Sequence, residues 1–153
     1  MDLGLKDKVA IVTGGTGAIG RAIAQRLLAE GAKVVISGRS QEKLDQTVES
    51  LRDLGSIQGV LAHVDRSEDV QRLVQTTVNQ HGRVDIVVSN AGTHVRGSLQ
   101  EVTPQAVLAH FQTKVIGPWM LAQSVEKHMR EQGGRFIVII GQAGKVPGQI
   151  GRA

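Results

Sequence analysis

Residues 9–12 are uniformly apolar, and the run ends in Thr13-Gly14-Gly15-Thr16-Gly17-Ala18-Ile19-Gly20, after which Ile19, Ile23 and Leu27 recur every four residues as far as Gly31. A strand without polar alternation is buried on both faces, whereas four-residue spacing sets apolar side chains along one stripe of a helix. The glycines between them predict a tight strand-to-helix turn, and Gly31 predicts the helix stop. This junction leaves few architectures open, because a sheet buried on both faces needs helices on both faces.

The same unit then repeats. Residues 33–37 are rich in β-branched side chains, Ser40 predicts a helix cap, and Leu44, Val48 and Leu51 share a helical face before Gly55. Residues 59–64 read as a third strand. Ser67, Glu68 and Asp69 form a capped, acidic first turn for a helix carrying Val70, Leu73, Val74 and Val78 toward Gly82. Residues 84–88 read as a fourth strand. Thr103-Pro104 predicts the start of a long helical stretch, broken near Gly117-Pro118 and ending by Gly133, and residues 136–140 read as a fifth strand. Strands alternating with helices across short glycine-marked connections predict right-handed crossovers. The expected fold class is α/β: one doubly wound, Rossmann-like parallel sheet of five strands, in a single domain spanning residues 1–153.

Composition removes several function classes. The chain is 41% hydrophobic and 21% charged, and no apolar run approaches the roughly 18 residues of a membrane span. The opening residues MDLGLKDK lack the apolar core of a signal peptide, so a cytoplasmic location is expected. With no cysteine there are neither disulfides nor thiolate metal ligands; His63, His81, His94, His110 and His128 show no paired ligand spacing, so no metal is expected. The net charge of +4 comes from Lys and Arg dispersed among Asp and Glu, and aromatics make up only 2%. Nucleic acid is therefore not an expected partner.

The glycine turn carries the first functional signal. Gly15, Gly17 and Gly20 satisfy a G-x-G-x-x-G spacing at the point where strand becomes helix, a geometry that brings backbone close to a pyrophosphate and aims free N–H groups at it. Thr13-Gly14 through Ala18 and Gly20 also resembles the T-G-x-x-x-A/G-x-G signature of the short-chain dehydrogenases/reductases. Further matches follow in that family's order: Asp65 at the end of the third strand, Asn90-Ala91-Gly92 after the fourth, Gly134-Arg135 before the fifth and Ala143-Gly144 after it. The resemblance implies NAD(P)-dependent redox chemistry on an alcohol or carbonyl. It also implies a nicotinamide dinucleotide held by Thr13, Gly14, Gly15, Thr16, Gly17, Ile19, Gly20, Arg39, Asp65, Asn90, Ala91 and Gly92. Where NAD-preferring members usually have an acidic residue at the end of the second strand, this chain has Ser37-Gly38-Arg39; a guanidinium there suits a 2′-phosphate, so NADP is expected ahead of NAD.

The catalytic pattern departs from the family. The resemblance implies an Asn, a Ser, a Tyr and a Lys around the nicotinamide. The Ser position falls on Gly141 and the Asn position on Lys114, and the chain contains no Tyr at all, so no catalytic residue is assigned. Lys114 is expected to reach solvent or a carbonyl. His94 is expected to face the crevice at the carboxyl ends of the strands, without an identified orienting partner, and Ser89, Thr93 and Gln142 are further candidates for its lining. The family's Tyr and Lys would fall past Ala153, which makes a fragment or shortened relative without turnover the expectation, with the fifth strand's outer edge left open. The alternative is a non-catalytic NADP-binding sensor or partner-binding module. Such a chain would meet a second copy or another protein through that edge or through the long helix.

Overall fold

A computed structural model describes residues 3–92, 97, 98, 100–130 and 132–141. Among them the apolar runs become five strands: β1 (Val9–Thr13), β2 (Lys33–Gly38), β3 (Ile57–Leu61), β4 (Ile86–Ser89) and β5 (Arg135–Val138). They pair in the order β3-β2-β1-β4-β5, and every pairing is parallel. Between the strands run α1 (Ala18–Ala29), α2 (Gln41–Leu51), α3 (Ser67–His81), α4 (Pro104–Phe111) and α5 (Gly117–Met129). The doubly wound fold class is thus observed, with the order reversing between β1 and β4.

Alternating side chains of each strand feed two cores. Ala10, Val12, Val34 and Ile36 pack with Ala24 and Leu28 of α1 and Leu44 and Leu51 of α2. Ile11, Val35 and Val87 point the other way, onto Val70, Leu73 and Val74 of α3 and Leu121 and Val125 of α5. Each Val, Leu or Ile among them contributes about 1.5–3 kcal/mol when fully buried, which is why polar alternation is absent from these strands.

Several boundaries move from their sequence positions. β3 starts and ends earlier than residues 59–64, so Asp65 lies in the turn beyond the strand rather than at its end. β4 and β5 are likewise displaced from residues 84–88 and 136–140. Val84 extends the buried run before β4 without joining the ladder, and Ile139, whose N–H still donates to the Ser89 carbonyl, carries the apolar run one residue beyond β5, which is why a hydrophobic pattern misplaces strand ends. Arg66, not Ser67, occupies the cap position of α3. Ser40 and Thr103 do cap α2 and α4, accepting from the N–H groups of Lys43 and Ala106. On α1 the buried stripe is Gly20, Ala24 and Leu28, one residue along from Ile19, Ile23 and Leu27, because Gly20 must meet the turn and carries Ile19 outward.

The expected break at Gly117-Pro118 is instead a π-helical turn, Gln112–Ile116, joining α4 to α5. Pro118 offers no N–H to the preceding turn, and its ring crowds the carbonyl four residues back, that of Lys114. The helix widens there, with the Gly117 N–H donating to the Gln112 carbonyl.

At the amino ends of the strands Asp85 ties the sheet together. Its carboxylate accepts the Val9 N–H at 2.9 Å and two Arg83 N–H groups at 2.9 and 2.5 Å, while its backbone bonds Val9 on one side and Arg135 on the other. On the outer side of β5, no strand pairs with it among the described residues, and Ile137, Val138 and Ile140 are exposed. Residues 145–153, which would need to fold over that edge to cover it, lie outside the described residues.

Burial opposes the charge on Asp85, but the Arg83 hydrogen bonds, the Val9 N–H and nearby Lys8 outweigh it and hold its pKa below the ordinary 3.8. A carboxyl depressed in the folded state contributes stability that is present above its unfolded-state pKa and lost as pH falls through the folded-state value. Asp85→Ala leaves the Val9 N–H buried and unpaired. It is expected to lower stability by about 2–3 kcal/mol near neutral pH. Urea titrations should show this difference shrinking as the pH is taken below the ordinary aspartate value.

Candidate functional site

At the carboxyl ends of β1 and β4 the glycine turn is clamped by side chains on both strands. The Thr13 hydroxyl, fully buried, accepts the N–H groups of Asn90 and Ala91 at 3.0 and 3.1 Å. In return the Asn90 amide donates to the carbonyls of Thr13 and Gly14 at 3.1 and 3.3 Å. The glycines are required by proximity. Gly14 has φ +65°, and a Cβ on it would come within 2.9 Å of the Ala91 backbone. A Cβ on Gly15 would lie 2.5 Å from Ile36 of β2, and one on Gly20 would overlap the Gly14 carbonyl.

Gly17 differs, because a Cβ there would meet only the Gly14 carbonyl, at 3.5 Å. It caps α1 with extended backbone, and no side chain closes the helix start. The first N–H groups of α1 therefore have no intrahelical acceptor and open onto a cavity of about 510 Å³. Its floor is the turn, with Gly14, Thr16, Gly17, Ala18 and Ile19, the last of which is 60% exposed. One end is walled by Ser37 and Gly38 at the end of β2, by Arg39 after it, and by Val64 and Asp65 after β3. The other is walled by Asn90, Ala91 and Gly92, by Lys114, and by Ile139, Ile140 and Gly141.

The β3 turn is held by Asp69, whose carboxylate accepts the His63 N–H at 2.8 Å and pairs with Arg72. The His63 N–H, and after it the guanidinium of Arg72, hold the Asp69 pKa below its ordinary value despite some desolvation. From above, Gly117 lets the π-helical turn descend onto that turn: a Cβ there would lie 2.9 Å from the Val64 carbonyl. Lys114 is thereby brought against Gly92, and its Cε and Nζ fill the space a Cβ on Gly92 would need. It lies along the cavity wall, half-buried. Among the described residues no carboxylate lies within ion-pair distance of Lys114 or of Arg39.

The cavity gathers Gly14, Thr16, Gly17, Ile19, Arg39, Asp65, Asn90, Ala91 and Gly92. Thr13, Gly15 and Gly20 lie beneath it, shaping the turn rather than facing the space. Ser89 is buried and is not part of its wall. Thr93, His94, Gln142, Ala143 and Gly144 lie outside the described residues. Sequence reading did not assign Ser37 to the site. Its hydroxyl is fully buried without a hydrogen-bond partner, and the available signal was a serine closing an otherwise apolar strand. Thr113 and Ile139, also in the wall, carry no such signal.

A glycine turn braced by Thr13 and Asn90, at the strand-order reversal of this parallel sheet, decides which proteins bear comparison. The sequence pattern of the family described as short chain dehydrogenase matches residues 8–153. The chain belongs to that family. It is 42% identical over 138 residues to dehydrogenase/reductase SDR family member 4 of Pongo abelii, covering 89% of this chain and 50% of that protein. Among solved structures, a short chain dehydrogenase/reductase from Burkholderia phymatum in complex with NAD superimposes with a TM-score of 0.89 at 26% identity, over 94% of this chain and 52% of that one. Levodione reductase superimposes with a TM-score of 0.88 at 27% identity, over 95% of this chain and 58% of that one. This short-chain dehydrogenase chain thus spans about half the length of the curated relatives it matches.

Thr13→Val preserves side-chain shape but removes the acceptor for the Asn90 and Ala91 N–H groups. It is expected to destabilise the fold by about 2–3 kcal/mol, read as a lower urea midpoint with an unchanged slope.

Proposed function

We propose that residues 1–153 form a single dinucleotide-binding domain of an NAD(P)-dependent oxidoreductase acting on an alcohol or carbonyl, with NADP preferred to NAD. The observation that carries this reading is the open start of α1, glycine-floored and free of a side-chain cap, facing a cavity with a guanidinium at one end. The residues fit the group. N–H groups at the helix start would take the diphosphate, Gly17 leaves space for it, and Gly14 and Gly20 keep the backbone close beneath. Asp65 supplies polar atoms toward the adenosine half.

Arg39 supports NADP. It is exposed, without a carboxylate partner among the described residues, and placed to form charge-assisted bonds with a 2′-phosphate. Gly38 supports the same preference, since a Cβ there would lie 3.1 Å from Thr16, leaving an acidic side chain little room. A bound nicotinamide supplies hydride chemistry; this chain's residues would bind and orient it. Gly141 and Lys114, both in the cavity wall at positions where the family pattern calls for Ser and Asn, favour a second reading: a module that binds NADP without turnover. Contact with a second copy or another protein would use the exposed β5 edge or the α4–α5 stripe of Val107, Phe111, Val115 and Trp119. No helix among the described residues is long and apolar enough to cross a membrane.

Calorimetric titration of the 153-residue chain is expected to show saturable binding of NADPH, tighter than NADH. Arg39→Asp should weaken NADPH roughly tenfold or more by replacing attraction with repulsion, while affecting NADH far less. Binding of neither nucleotide by a cooperatively folded chain would overturn the assignment.

A further inference from the structure

The charges of the cavity are distributed unevenly between its two ends. Arg39 and Asp65 follow β2 and β3, on one side of β1; Lys114 lies against Gly92, which follows β4 on the other side. These are the charged side chains of the wall among the described residues, so the β4–β5 end carries a cation with no carboxylate within ion-pair distance. Its position is built rather than incidental. The π-helical turn and the close approach of Gly117 to the Val64 carbonyl bring Lys114 down, and glycine at position 92 leaves room for its ammonium. A lysine free to reach solvent would require neither feature.

A dinucleotide lying across the strand-order reversal, with its adenosine half toward β2, has its nicotinamide half toward β4 and β5. That ring is a cation when oxidised and neutral when reduced, while the phosphates are the same in both states. We propose that Lys114 makes this cleft selective for the reduced over the oxidised nicotinamide cofactor through like-charge repulsion of the oxidised ring, an inference that rests on the dinucleotide reading above. General attraction of the ammonium to the phosphates acts equally on both forms and cancels in the ratio of their affinities. The selectivity would load the site with the hydride donor and orient the chain toward carbonyl reduction.

The test is calorimetry of the full chain with NADPH and with NADP⁺, for the native sequence, Lys114→Met and Lys114→Arg, at low ionic strength. The native chain is expected to bind NADPH roughly three- to tenfold more tightly than NADP⁺, a range set by one like-charge pair in a partly solvated cleft. Lys114→Met should bring the two affinities close to equality, and Lys114→Arg should keep them apart. The native ratio should also shrink as salt is raised, a measurement that needs no variant to fold. Binding of both forms with a ratio unchanged by Lys114→Met, or insensitive to salt, overturns this inference and leaves the cofactor assignment standing. Binding of neither form overturns the cofactor assignment and this inference with it.

Discussion

The mutual clamp between Thr13 and Asn90 governs the carboxyl end of this sheet. Two neighbouring parallel strands, β1 and β4, end in segments that must leave in different directions, and their last backbone groups would otherwise be buried without partners. The Thr13 hydroxyl satisfies two N–H groups of the β4 segment, and the Asn90 amide satisfies two carbonyls of the β1 segment. Each strand end thereby completes the other's hydrogen bonding. The close approach this demands leaves no space for side chains at Gly14 or Gly20. With the turn held down, α1 starts from bare backbone, and the concavity above it stays open.

A second brace works at the opposite end of the strands, where Asp85 joins β1, β4 and β5 through a carboxylate and its own backbone. The sheet is therefore pinned by polar side chains at both ends and by aliphatic packing between them. This division of labour suits a binding fold. The aliphatic layers hold the strands in register, while the polar clamps decide where the loops leave and hence which groups border the cavity.

The helical stretch from α4 to α5 contributes in a different way. Pro118 disrupts the regular helix and Gly117 removes the bulk that would hold it away from the turn after β3; together they place Lys114 at a wall built otherwise from strand ends. A lysine on a regular helix one residue out of this phase would face elsewhere. The chemical character of the β4–β5 end of the cavity thus comes from a local irregularity in a helix rather than from the sheet.

The alternation of apolar runs with helical spacing determined the class of fold and the sequence of elements, because doubly buried strands and amphipathic helices have distinct periodicities that no other arrangement satisfies at once. The glycine spacing likewise marked the turn, since backbone crowding there excludes other residues. Strand ends were less legible, as Val84 and the residues before Asp65 show, because burial continues past the last ladder hydrogen bond and leaves the same apolar signature. The roles of Thr13 and Asn90 as reciprocal braces, the orphaned hydroxyl of Ser37 and the inward placement of Lys114 were decided only by tertiary structure. Each depends on segments distant in sequence meeting at particular atoms, as Thr13 and Asn90 do across 77 residues, and no local pattern encodes such a meeting.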